Sequence, residues 1–325
     1  MREAGPGSGS RPGVESGHHG AVSRPQPTTT PVDQIAPGDV VRDTEVHPVD
    51  GLDGRYRLDI PEAWRVVYAF GGVTMASAIR AVVAAVDRPD LSLVSADATF
   101  CQAVPCGPVA VQVEVLRQGR SAAQAVARLW ALDPADPSPT GPVGSDLVVS
   151  CVLGERDPHT PYRLQGAVPP EVGPPEGYDP RPEVVDNPFA DIPYHRQTDW
   201  RLAEGRLHWG QVDVPPGDPQ ASSWFRFHRS PMGPDGRWVP GLVAVPGDVL
   251  GPAVGAGIGT QQGFFLILSL QIGIRFVADV TTEWVLQQTR AQTAADGYAA
   301  GTAELWDEDR RLVALAHQIA KLRSF

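Results

Sequence analysis

Only a few residues in this 325-residue chain are placed to do chemistry, and several familiar arrangements are missing. No Gly-x-Ser-x-Gly turn presents a nucleophilic serine. No His-Glu-x-x-His pair or phosphate-binding loop is present. Cys101, Cys106 and Cys151 show no Cys-x-x-Cys spacing and read as small hydrophobes of a reduced protein. His18-His19 has no further ligand nearby. Three polar residues keep unusual company. Asp248 precedes Val-Leu-Gly-Pro-Ala at an expected helix start. By itself it reads as a helix cap, although a carboxylate there can also take a proton from water. Ser269 sits in the apolar run FFLILSLQIGIRF, where a buried hydroxyl needs a partner. Gln318 carries both a donor and an acceptor. Its neighbour His317 turns to the opposite face if the segment is a strand. His228 reads as a surface or inter-strand residue and Asp97 as a relic or second acid. Gly251–Gly259, GPAVGAGIG, resembles a phosphate loop superficially. It follows a helical segment, whereas a dinucleotide fingerprint opens a helix after a strand, so a loop is expected there.

Composition restricts the partners. With 42% hydrophobic residues and only 7% aromatics, the core must be built from Val, Ala, Leu and Ile. The formal charge of -11 argues against nucleic acid and anionic membranes. No apolar run reaches the ~18 residues of a membrane span. The N-terminal stretch has no apolar segment of the secretory type, so a cytoplasmic location is expected. The acidity is concentrated in two Pro-rich stretches, residues 1–50 and 154–193. The remainder is close to neutral.

Those stretches divide the chain. Residues 1–40 read as a flexible arm, 41–154 as a first globular half, 155–199 as a Pro-rich acidic linker and 200–325 as a second half. A lid over a site is the alternative role for the linker. In the first half, a strand near Tyr56–Leu58 precedes a helix running from Phe70 to Val86. Small apolar residues cover nearly all its sides, which predicts burial all round. Strands follow at Leu91–Phe100, Val109–Arg117, Ser121–Leu132 and Asp146–Leu153. The second half reads as strands at Leu207–Val212 and Ser222–His228 and a helix over Gly241–Val254. Four more strands follow at Phe264–Phe276, Thr282–Gln292, Tyr298–Trp306 and Arg311–Leu322. The halves match each other. Leu129-Trp130 aligns with Leu305-Trp306 at an offset of 176, and Asp146–Cys151 with Arg311–Ala316 at 165. A domain-sized duplication of one helix and four strands is an α+β arrangement.

This order resembles the double-hotdog acyl-CoA thioesterases of the thioesterase II type, in their actinobacterial branch. The resemblance rests on Phe70-Gly71-Gly72, on the run from Cys101 to Val109 continuing to Ser121, and on Gly247-Asp248-Val249-Leu250-Gly251-Pro252-Ala253. It also rests on Leu305–Ala314 and on Ala316-His317-Gln318. It covers about residues 42–154 and 200–323. It implies an α+β fold, a double hotdog with two antiparallel sheets, each wrapped around a central helix. It implies hydrolysis of acyl-CoA to free acid and CoA, in lipid metabolism. The family positions its catalytic water with an Asp, a Thr or Ser, and a Gln. Carried over, these are Asp248, Ser269 and Gln318, with Ser269 standing where Thr is more frequent. Backbone N–H groups at Gly71 and Gly72 are candidates to bind the thioester oxygen. Arg117, Arg120, Lys321 and Arg323 are candidates for the CoA phosphates.

The resemblance implies an acyl-CoA partner, a homo-oligomer, and no cofactor, metal, nucleic acid or membrane span. A non-hydrolytic acyl-thioester-binding or accessory protein of a biosynthetic pathway is the alternative, because a fold does not fix an activity. A hotdog hydratase or dehydratase is disfavoured, since no His lies close in sequence to Asp248.

Overall fold

The computed structural model describes residues 31–182, 192–206, 213–261 and 263–324. The His18-His19 pair and the Leu207–Val212 strand therefore lie outside the described residues.

The first half begins with a single helical turn, α1 (Val40–Asp43), and a short strand, β1 (His47–Pro48). β2 (Arg55–Ile60) leads to the central helix α2 (Gly71–Val86). Four strands follow: β3 (Ser92–Phe100), β4 (Gly107–Gln118), β5 (Ala122–Ala131) and β6 (Leu147–Gly154). Small residues let α2 sit against β4, β5 and β6 with Val73, Met75, Ala76, Ala78, Ile79, Ala81 and Val82 fully buried. An apolar helix of this kind is stable only inside a sheet that covers it. The alternation of β4 puts Val109, Val111 and Val113 on the covered face.

The second half has β7 (Thr198–Glu204), β8 (Gln220–Phe227), α3 (Ala244–Gly247) and α4 (Gly251–Ile258). It ends with β9 (Phe265–Phe276), β10 (Val285–Ala295), β11 (Tyr298–Asp307) and β12 (Leu312–Ser324). Here the expected helix over Gly241–Val254 is corrected to two short ones, and GPAVGAGI is helix rather than loop. Pro252 fits the first turn of α4, where its missing N–H costs nothing. Gly259 closes the helix at φ 72°, a conformation open to glycine.

All the strand pairs are antiparallel, and the order β1-β2-β4-β5-β6-β3-β9-β12-β11-β10-β8-β7 repeats itself in reverse about its middle. The two expected sheets thus meet edge to edge through β3 and β9 and form one continuous sheet. Asp97 and Gly273 stand opposite each other at that junction. Strand register tests the duplication residue by residue. Ala125 lies opposite Cys151, and Gly301 lies opposite Gln318. β5 therefore maps onto β11 at the expected offset of 176, whereas β6 maps onto β12 at 167 (151 to 318) rather than 165. A β-bulge recurs at equivalent places, skipping residue 94 in β3 and residue 270 in β9. One apolar core runs through both halves, with Trp64, Met75 and Ile79 of the first packed in the same cluster as Leu242, Val245 and Ile272 of the second.

Candidate active site

α2 starts without a side-chain cap from its own N-cap residue, Phe70. The first N–H groups of a helix have no intrahelical partner, and here the second half supplies one. Asp248, in the break between α3 and α4, accepts a hydrogen bond on Oδ2 from the Gly72 N–H at 3.0 Å. Asp248 does act as a helix cap, but for the helix of the other half; α4 has no side-chain cap. The approach demands glycines. A Cβ on Gly71 would lie 2.6 Å from Asp248 Oδ2, and one on Gly72 would lie 2.7 Å from Ala244 O and Val245 Cα.

The other carboxylate oxygen, Oδ1, accepts from Ser269 Oγ at 2.9 Å and from Gln318 Nε2 at 2.8 Å. Gln318 Nε2 also donates to Ser269 Oγ at 2.8 Å, and Gln318 Oε1 accepts from the Leu250 N–H at 3.2 Å. The structure therefore brings together Asp248, Ser269 and Gln318, which lie up to 70 residues apart. β9 and β12 carry Ser269 and Gln318 on the covered face of the sheet. Gln318 is buried, whereas His317 is exposed on the outside, its ring over Gly273. Asp97 also faces outward, paired with Arg275 at 2.9 Å, and His228 is exposed. None of these three joins the Asp248 cluster. Burial pushes the Asp248 carboxyl up to about 6 against the opposing effect of its three hydrogen bonds. It is thus mainly ionised at neutral pH and can still accept a proton.

The cluster borders a cavity of about 570 Å3 between the two halves. Its walls include Phe70, Gly71 and Phe100 from the first half and Val249, Phe264 and Ile267 from the second. Gly71 lines the cavity; the Gly72 N–H is already committed to Asp248. Lys321 and Arg323 line it too, as does Arg206, while Arg117 and Arg120 do not.

The Pro-rich stretch also contributes. Tyr194 and His195 line the cavity, and the Tyr194 ring stacks on Phe70 with centroids 4.2 Å apart. Burial raises the Tyr194 phenol well above its ordinary pKa and holds the His195 imidazole neutral. Sequence reasoning missed these residues. The local signal is the run Pro193-Tyr194-His195-Arg196 close to the end of the Pro-rich segment, and it is weak because Tyr162 and Tyr178 in the same segment share it.

Residues 60–144 match the acyl-CoA thioesterase N-terminal domain, and residues 170–321 match the acyl-CoA thioesterase C-terminal domain. The chain belongs to the acyl-CoA thioesterase family. Its fold, a double hotdog, is shared with a conserved hot dog fold protein of Alicyclobacillus acidocaldarius (20% identity, TM-score 0.70, covering 88% of this chain and 98% of that one). It is also shared with an acyl-CoA thioesterase II of Mycobacterium marinum (18% identity, TM-score 0.64, covering 88% and 99%). A tesB protein of Mycobacterium avium subs paratuberculosis is similar to the same degree (17% identity, TM-score 0.64, covering 87% and 98%). No curated protein sequence matches this one. Among the described residues, no helix is long and apolar enough to cross a membrane, and no group of three or more His, Cys, Asp or Glu side chains is placed to hold a metal ion.

Proposed function

We propose that this family member hydrolyses acyl-CoA thioesters to a free acid and CoA with water activated by Asp248. The observation that carries the reading is the hydrogen-bonded Asp248–Ser269–Gln318 cluster at the wall of a largely apolar cavity.

The bonding pattern supports the following division of roles. Both amide hydrogens of Gln318 are spent on Asp248 and Ser269, so Gln318 is a positioning residue. The Ser269 hydroxyl donates to Asp248 and keeps a lone pair. A water that gives one hydrogen to the Asp248 carboxylate and the other to Ser269 Oγ turns its own lone pair toward the cavity. As it attacks the thioester carbon, its proton passes to Asp248. The negative charge on the former carbonyl oxygen faces the Gly71 N–H at the positive end of α2. Collapse breaks the carbon–sulfur bond, and the sulfur takes the proton back from Asp248. No covalent enzyme intermediate is required.

A panel of acyl-CoA esters, with thiol release monitored, tests this. Turnover above the buffer rate that disappears in Asp248→Asn is expected. No turnover on any ester, or an undiminished rate in the Asn variant, overturns the mechanism.

A further inference from the structure

One charged group at the cavity has no role in that mechanism. Arg181, from the segment between the two halves, lines the cavity wall, and its Nη1 is buried without a hydrogen-bond partner. Its backbone N–H is held by Trp200 O at 2.9 Å, and its guanidinium lies 5.2 Å from the centroid of the Trp200 ring. These contacts fix the side chain without neutralising it. Among the described residues, the acid that influences it, Asp199, is already shared. Arg201 grips both its oxygens, at 3.1 and 2.9 Å, and Arg226 reaches Oδ2 at 3.3 Å. Among the described residues, the other titratable groups that sense the charge of Arg181 are the neutral Tyr194 and His195.

An unmet guanidinium hydrogen in a buried place is costly and calls for an acceptor. Burial lowers the Arg181 pKa only to about 10, so it stays charged at neutral pH. Arg181 and Asp248 line the same cavity, and so does the Tyr194 ring. That ring stacks on Phe70, next to the glycines that touch Asp248, and it senses the charges of both Arg181 and Asp248. Arg181 therefore shares the interior of the cavity with the reacting centre. The phosphates of CoA are heavily hydrated and have other cations to meet: Arg206 and Arg323 are exposed, and Lys321 is half-buried. Arg181 is half-buried as a residue, but its Nη1 is enclosed, and it is left for the acyl portion.

We infer that Arg181 forms an anion subsite for the acyl group, and that the preferred substrates carry a carboxylate on the acyl chain, as in the mono-CoA ester of a dicarboxylic acid. A carboxylate supplies two acceptor oxygens and the missing counter-charge. The inference rests on the thioesterase reading for the placement of the acyl chain in this cavity.

The test measures binding, which needs no turnover. Non-hydrolysable thioether analogues of acyl-CoA are prepared in a series of chain lengths, each length ending in either a methyl or a carboxylate. Their Kd values are measured by calorimetry on the wild-type chain, on Arg181→Gln and on Arg181→Lys. At the best-fitting length the carboxylate analogue binds wild type at least about tenfold more tightly than its methyl counterpart, as a charge-assisted bond requires. Arg181→Gln removes that preference and leaves methyl-ended analogues within about threefold, while Arg181→Lys retains part of it. A wild-type chain with no carboxylate preference at any length overturns the inference, whatever the variants do. So does an equal loss for both series in Arg181→Gln. If the carboxylate preference holds but the true esters are not cleaved, the hydrolytic reading fails and the subsite stands.

Discussion

The Gly72 N–H reaches the Asp248 carboxylate across the boundary between two copies of the same fold, and the two residues are 176 residues apart. That spacing is also the offset relating β5 to β11. Phe70-Gly71-Gly72-Val73 thus corresponds to Pro246-Gly247-Asp248-Val249, and one copy holds the bare backbone that the other copy's acid touches. The same mapping puts Leu93 in place of Ser269 and Cys151 in place of Gln318. The first copy therefore has neither the acid nor its two donors. It supplies a helix end instead, and the described residues hold one such cluster, built jointly.

Replacing Asp248 with Asn keeps the shape and removes the proposed base. The rate of thiol release is expected to fall by about 10²–10⁴-fold, the range for a general base. A loss in KM with an unchanged kcat would contradict this.

The acid limb of the rate profile follows from the raised pKa. As the proposed base, Asp248 works when ionised, so kcat/KM should climb with pH through about 6 and then level off. Stability moves the other way. The folded protein holds this proton more tightly than the unfolded chain, whose carboxyl titrates near 3.8. The contribution is therefore fully present below about 4 and is lost as pH rises through about 6. Thermal melts across that window should show wild type losing ground to Asp248→Asn as pH increases.

Removing a donor from the carboxylate should move the same limb. Ser269→Ala deletes one hydrogen bond that favours the ionised form. The limb is expected to shift to higher pH by up to about one unit, a bond of roughly 1 kcal/mol. Ser269→Thr, which keeps the hydroxyl, should leave it near its wild-type position. A limb that stays put in the Ala variant would show that the bond is not made in solution.

Gly72→Ala drives a methyl against fixed backbone, since Ala244 O and Val245 Cα are both within 2.7 Å of the new Cβ. A loss of about 1–3 kcal/mol in denaturant unfolding is expected, with reduced turnover as α2 backs away from Asp248. An unchanged midpoint and rate would mean that the two halves sit further apart than described.

Thiol alkylation should separate the three cysteines. Burial pushes Cys106 and Cys151 up to about 12, whereas Cys101 is exposed. Iodoacetamide followed by peptide mapping should label Cys101 in the native protein and reach Cys151 after unfolding. Early labelling of Cys151 would contradict the packing of β6.

Much of the fold can be read along the chain because its signals are local. The apolar, small-residue run from Phe70 to Val86 gives a helix buried over most of its surface, although Ala84 in its last turn is exposed. The alternating Val residues from 109 to 115 give a strand with one covered face. The duplication is legible as repeated order. The second central helix is less so. Its glycines and prolines carry weak propensity either way, and packing between β8, β10 and the rest of the sheet decides that GPAVGAGI is helical. The two-residue error in aligning β6 with β12 has a similar origin: register is set by hydrogen bonding between strands, which side-chain order along one strand does not record.

The sequence by itself determined most of the elements, their repetition and the three polar residues of the proposed site. Only the tertiary structure decided what they touch. It joined the two sheets through β3 and β9, made Asp248 the cap of the other half's helix, and carried Arg181 and Tyr194 from a Pro-rich stretch into the cavity wall. Helical and strand periods act over a few residues and are written into neighbouring positions. The cluster depends on contacts spanning up to 176 residues, and those follow from how two covered sheet faces close on each other.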